Sequence, residues 1–91
     1  MDKKIVQSLY KKAREKWGVE SQLLMCAEEC SELTHAVLKY LRTGDDGNFI
    51  EEIADVELML GQVHYQFPGF KVRVEAVKEV KLKRLQELLK D

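Results

Sequence analysis

The sequence predicts an all-α fold, an antiparallel bundle of about four helices completed by oligomerisation. Three observations carry this. Apolar residues recur at helical spacing through four segments. One Pro and five Gly are too few for an all-β chain with many tight turns. Only three breaks interrupt the pattern: Gly18, the cluster Thr43-Gly44-Asp45-Asp46-Gly47-Asn48, and Pro68-Gly69.

The first helix is expected over 3–17, with Ile5, Val6, Leu9, Ala13 and Trp17 on one side. The second is expected over 20–42, with the stripe Leu23, Ala27, Cys30, Thr34, Val37 and Leu41. The third starts near Asn48, an N-cap candidate with Glu51 as its capping-box partner. Its stripe is Phe49, Ile53, Val56, Leu60, Val63 and Phe67. The fourth follows Pro68-Gly69 to the C-terminus, with Phe70, Val74, Val77, Leu85 and Leu88. The short turn between the second and third makes them antiparallel neighbours.

The chain has 91 residues, of which 45% are apolar and 34% charged, so it reads as one ordered domain over 1–91. A monomer of this size has a thin core, which self-association would extend. No apolar run approaches the roughly 20 residues that cross a bilayer, and no secretory leader pattern opens the chain. The expectation is a cytoplasmic protein without a membrane partner. Cys26 and Cys30, an i,i+4 pair, are poorly placed for a disulfide and read as buried free thiols.

Charge is segregated. Residues 1–25 carry a net +3, residues 26–57 a net −7, and residues 71–91 a net +3. A nucleic-acid binder needs a continuous basic face, which this order does not suggest. An acidic middle calls for a cation there, or for a fold that brings the basic ends back over it.

The carboxylates are placed unusually. On a wheel of the second helix, Glu28, His35 and Lys39 share a solvent face at roughly 120–160° from Leu23. Glu29 and Glu32 instead fall at roughly 240° and 180°, among Met25, Ala36 and Tyr40. On the third helix Glu52 and Asp55 lie at roughly 260° and 200° from Ile53, bracketing Met59. Two adjacent helices thus each offer an i,i+3 carboxylate pair from a semi-apolar band. Alone, either pair also fits solvated helix charges. Two such charges about 4 Å apart repel by roughly 4 kcal/mol at an effective dielectric near 20. Converging carboxylates therefore need protonation or a cation, and all-oxygen ligands suit Mg²⁺ or Mn²⁺ rather than Zn²⁺. On the fourth helix Lys78 and Lys81 share the sector of Val74, Leu85 and Leu88, and Arg84 flanks it. They either snorkel, bind phosphate or pair with the acids.

Glu28-Glu29-x-x-Glu32, a spacer of 19 residues, then Glu52-x-x-Asp55 resembles the signature of the MazG-type all-α nucleoside triphosphate pyrophosphohydrolases. Lys16-Trp17-Gly18, Gln22, Glu51–Val56 and Lys81-Leu82-x-Arg84-Leu85 also look like the small phage- and Firmicute-type members, so the likeness covers about residues 13–88. The resemblance implies a MazG-like homodimer or homotetramer that binds Mg²⁺ through Glu29, Glu32, Glu52 and Asp55, with Glu28 accessory. It implies hydrolysis of an NTP or dNTP to the monophosphate and pyrophosphate. Glu32 and Glu52 are the catalytic candidates, and Lys78, Lys81, Arg84 and Trp17 are the substrate-binding ones. Trp17 and Tyr40 would stack on the base, or belong to the core. A second subunit would close the pocket. One departure is Glu57, inside the third helix's apolar stripe beside His64. There it forms a Glu–His pair, an oligomer contact or an extension of the acidic site.

Other chemistries fit less well. The P-loop G-x-x-x-x-G-K-[ST] and the zinc motif H-E-x-x-H are absent. A di-iron bundle needs two Glu-x-x-His motifs, and only Glu32–His35 supplies one. The remaining alternative is a non-catalytic helical nucleotide-binding or oligomerisation module.

Overall fold

A computed structural model describes residues 1–91 as four α-helices without strands: α1 (Lys3–Trp17), α2 (Val19–Thr43), α3 (Gly47–Gln66) and α4 (Phe70–Leu88). Asp2 caps α1, its carboxylate accepting from the Lys4 amide at 2.7 Å. Gly18 alone joins α1 to α2. At φ +84° it donates to the Arg14 carbonyl while its own carbonyl accepts from Gln22. A residue with a Cβ would be strained in that conformation.

Gly44, at φ +74°, ends α2 by donating to the Tyr40 carbonyl at 2.8 Å. The turn that follows corrects the expected Asn48 cap. Asp46 occupies the cap position without a side-chain bond, and Asn48 lies inside the helix. The Asp45 carboxylate already accepts from the Gly47 amide at 3.1 Å, and the Asp45 amide in turn donates to Thr43 Oγ1. The turn's own side chains set the helix start two residues earlier than a capping box at Asn48 would.

α2 and α3 pack as an antiparallel hairpin, and α1 lies against them. Tyr10 of α1 sits over Gly61 and beside Tyr65, ring centroids 6.4 Å apart, with the Arg14 guanidinium 5.4 Å from the Tyr65 ring. A Cβ at position 61 would lie 2.5 Å from the Tyr10 hydroxyl and 3.1 Å from its ring. Gly61→Ala therefore forces Tyr10 aside. It is expected to cost about 1–3 kcal/mol, read as a lower urea midpoint, with Tyr10→Phe/Gly61→Ala recovering part of the loss.

The seam of the hairpin lies on a different side of α2, roughly 120° round the helix from the expected stripe. Only Gln22, Ala36, Glu52 and Met59 are buried, and all lie in the band that carries the carboxylates. The expected core stripe is only partly covered: Val37, Val56 and Val63 are half-buried, while Leu23 is 41% exposed, Ile53 39% and Leu60 46%. For antiparallel helices these stripes share one face, so the hairpin presents a continuous apolar surface. Cys30 lies on it and is exposed, against the buried reading, while Cys26 is half-buried. Burial, then the neighbouring Cys30, raises the Cys26 thiol above its ordinary value.

The four-helix bundle does not close within one chain. Every residue of α4 is exposed, and α4 shares no extensive packing with α1, α2 or α3. The Phe67 and Phe70 rings stack at the elbow, 4.7 Å apart and 14° from parallel. The radius of gyration is 16.1 Å, against about 12 Å for a compact chain of this length. No helix is long and apolar enough to cross a membrane.

Candidate functional site

The seam repeats every seven residues. Gln22, Glu29 and Ala36 line it from α2, and Glu52, Met59 and Gln66 from α3. At one end Gln66 Nε2 donates to Gln22 Oε1 at 2.6 Å.

Glu29, Glu52 and Asp55 each bring one carboxylate oxygen into a group spanning at most 4.8 Å. Glu52 is buried, and Glu29 and Asp55 are half-buried. Glu29 Oε2 and Glu52 Oε2 are shut from solvent without a hydrogen-bond partner. Buried acceptors of this kind are ordinarily satisfied. Glu52 is pushed up to about 7 by burial, by the facing Glu29 carboxyl, and by the charges of Glu32, Glu29 and Asp55. No ion pair in the chain relieves these acids, since the two present both link residues of 71–91. Three hard oxygen donors, from a group in which Glu29 and Glu52 each hold an unpartnered buried oxygen and no Lys or Arg neutralises the acids, fit a divalent cation of the Mg²⁺ or Mn²⁺ type.

Glu32 acts on Glu52 by its charge but stands exposed and outside the close group. Glu28 and Glu51 are exposed nearby on their helices. Lys78, Lys81 and Arg84 are on α4 and are not brought to the acids within the chain. Trp17 is half exposed, with Lys16 Nζ 5.3 Å from its ring centroid. Tyr40 packs on Phe49 at 5.5 Å. Glu57 is exposed and makes no bond to His64, whose Nδ1 is buried without a partner, so a Glu–His pair does not form.

Sequence reasoning named Gln22 only for its resemblance and missed Gln62 and Gln66. Gln22, Gln62 and Gln66 each keep a buried polar atom unpartnered. Their spacing from Glu29 and Glu52 was the available signal: Gln22 lies seven residues before Glu29, and Gln66 fourteen after Glu52. They make the seam polar well beyond the carboxylates. Compared with known proteins, the chain matches no protein-family model, no curated protein and no solved structure.

Proposed function

We propose that this chain is a Mg²⁺-dependent, MazG-like nucleoside triphosphate pyrophosphohydrolase that yields a nucleoside monophosphate and pyrophosphate. The carrying observation is the group Glu29, Glu52 and Asp55 with its two orphaned oxygens. A scaffold helix pair gains nothing from acids held in its seam. The motif Glu28-Glu29-x-x-Glu32…Glu52-x-x-Asp55 selects the reaction.

Glu29, Glu52 and Asp55 would hold the cation, with Glu32 at the rim. Mn²⁺ is the alternative ion. Bound there, the ion neutralises phosphate charge and orients the triphosphate. The exposed Glu32 accepts a proton from the attacking water as its oxygen bonds to the α-phosphorus. The α–β bridging bond breaks, and pyrophosphate leaves with the electron pair. Lys78, Lys81 and Arg84 stabilise the departing charge, and Trp17 offers a face to the base. Glu28 supports the acidic rim. The open apolar face of α2 and α3 supports a homodimer or homotetramer as the working form. We place it in the cytoplasm, with a nucleotide and neither nucleic acid nor membrane as its partner.

The test is a turnover assay with Mg²⁺ across the common NTPs and dNTPs, with monophosphate and pyrophosphate detected separately. Metal-dependent pyrophosphate release is expected. Nucleotide binding without turnover would instead favour the non-catalytic module, a reading that α4's distance from the acids within one chain also suits.

A further inference from the structure

We propose that two copies of the chain exchange α4. The mixed basic and apolar face of α4 lies across the acidic α2–α3 face of its partner and delivers Lys78, Lys81 and Arg84 to the partner's carboxylates. The role of the three cations rests on the hydrolase reading; the seat of α4 does not.

Three observations converge. First, α4 has one face without a single acid. Phe70, Arg73, Val74, Val77, Lys78, Lys81, Arg84, Leu85 and Leu88 fall within a sector of roughly 140°, while Glu75, Glu79 and Glu87 lie outside it. Six of these residues line a hollow of about 490 Å³. Val74 and Val77 remain exposed there, and Lys78 has only a solvent-exposed contact with Glu75 at 3.6 Å. A helix with this face is built to lie on something.

Second, the hairpin offers the complementary surface. On the wheel Glu28 and Glu32 of α2 share a side with Glu51 and Asp55 of α3, at roughly 60–100° from the seam. Met25 and Leu58 add apolar area to that side. Residues 26–57 carry a net −7, and none of their acids has an ion-pair partner in the chain. Residues 71–91 carry +3.

Third, α4 is turned away from its own hairpin. The Phe67–Phe70 stack sets the elbow, and α4 leaves α3 at the end remote from Glu52. The opposite charges meet when a second copy supplies the helix. In a two-fold pair each α4 covers the other chain's acids, so both sites are completed at once.

The test uses the full-length chain, measured by sedimentation. The triple variants Lys78→Glu/Lys81→Glu/Arg84→Glu and Glu28→Lys/Glu32→Lys/Glu51→Lys change exposed residues, and circular dichroism checks that each stays helical. Each alone is expected to fall to half the wild-type mass or less. Mixing the two is expected to restore the wild-type mass, because the reversed charges match again. A basic-helix variant that keeps the wild-type mass, or a mixture that fails to reassemble, overturns the exchange.

A complementation assay adds the chemistry. Glu52→Gln lacks the acid site, and Lys78→Ala/Lys81→Ala/Arg84→Ala lacks the basic helix. Mixed equally, they are expected to regain about a quarter of wild-type turnover per chain, since half the chains enter mixed pairs and each mixed pair holds one complete site. No recovery above the parents, with active wild type, also overturns the exchange. Charge-dependent assembly by a wild type that turns nothing over would sink the hydrolase reading and leave the seat of α4 standing.

Discussion

Glu52→Gln is expected to lower Mg²⁺-dependent pyrophosphate release by more than about a hundredfold, a loss larger than removing an outer-shell partner of a metal ligand costs. Gln keeps the size and burial of Glu52 but carries no charge. The remaining acids Glu29 and Asp55 then hold a divalent ion weakly. Asp55→Asn is expected to act in the same direction. Titration calorimetry with Mg²⁺ or Mn²⁺ should show the affinity falling with the activity. Both variants should stay helical, and metal-free Glu52→Gln should melt higher than wild type at pH 8, because it removes a charge from a seam already rich in them. Full Mg²⁺-dependent turnover in Glu52→Gln would remove the seam from the metal assignment.

The metal-free protein is expected to lose stability as the pH rises from 4.5 to about 7. Glu52 is held at about 7 when folded, against an ordinary value of 4.5. Over that window the unfolded chain has released this proton and the folded chain keeps it. The folded state binds more protons, so stability falls with pH. The contribution is complete below 4.5 and gone above 7. Glu52→Gln isolates it from the other titrating groups: the wild-type melting temperature should fall across the window relative to the variant. Mg²⁺ should reverse the trend, raising the melting temperature more at pH 8 than at pH 5. Binding near pH 6 should release a proton, seen as a calorimetric heat that changes with the buffer. A wild type that tracks Glu52→Gln through the whole window would contradict the buried, shared carboxyl.

The elements themselves are plain in the sequence, because Gly18, the Thr43–Asn48 cluster and Pro68-Gly69 are strong local signals. The expected 3–17 and 20–42 lie within a residue of α1 and α2. The side of α2 that faces α3 is not plain. The stripe from Leu23 to Leu41 is the more apolar, yet the seam forms through Gln22, Glu29 and Ala36. A helix with two usable faces buries one within its own chain and leaves the other open, and a wheel cannot rank the two. The same ambiguity placed Lys78 and Lys81 on a core-facing stripe, since a stripe on α4 looks alike whether its cover belongs to one chain or two. The wheel did put Glu29, Glu52 and Asp55 in one band, because i,i+3 spacing on antiparallel neighbours is purely local geometry. It gave no sign of Glu32 standing apart, which depends on how deeply each side chain enters the seam.

The unsupported state of α4 has a consequence in time. A single helix of 19 residues in water opens readily, and this one carries β-branched Val72, Val74, Val77 and Val80, which lower its intrinsic helicity. Its backbone amides should therefore trade hydrogen for deuterium far faster than those around Glu52 and Met59 while the chain is dilute. As concentration rises they should slow together, from Phe70 to Leu88, so that α4 serves as a built-in clock for assembly.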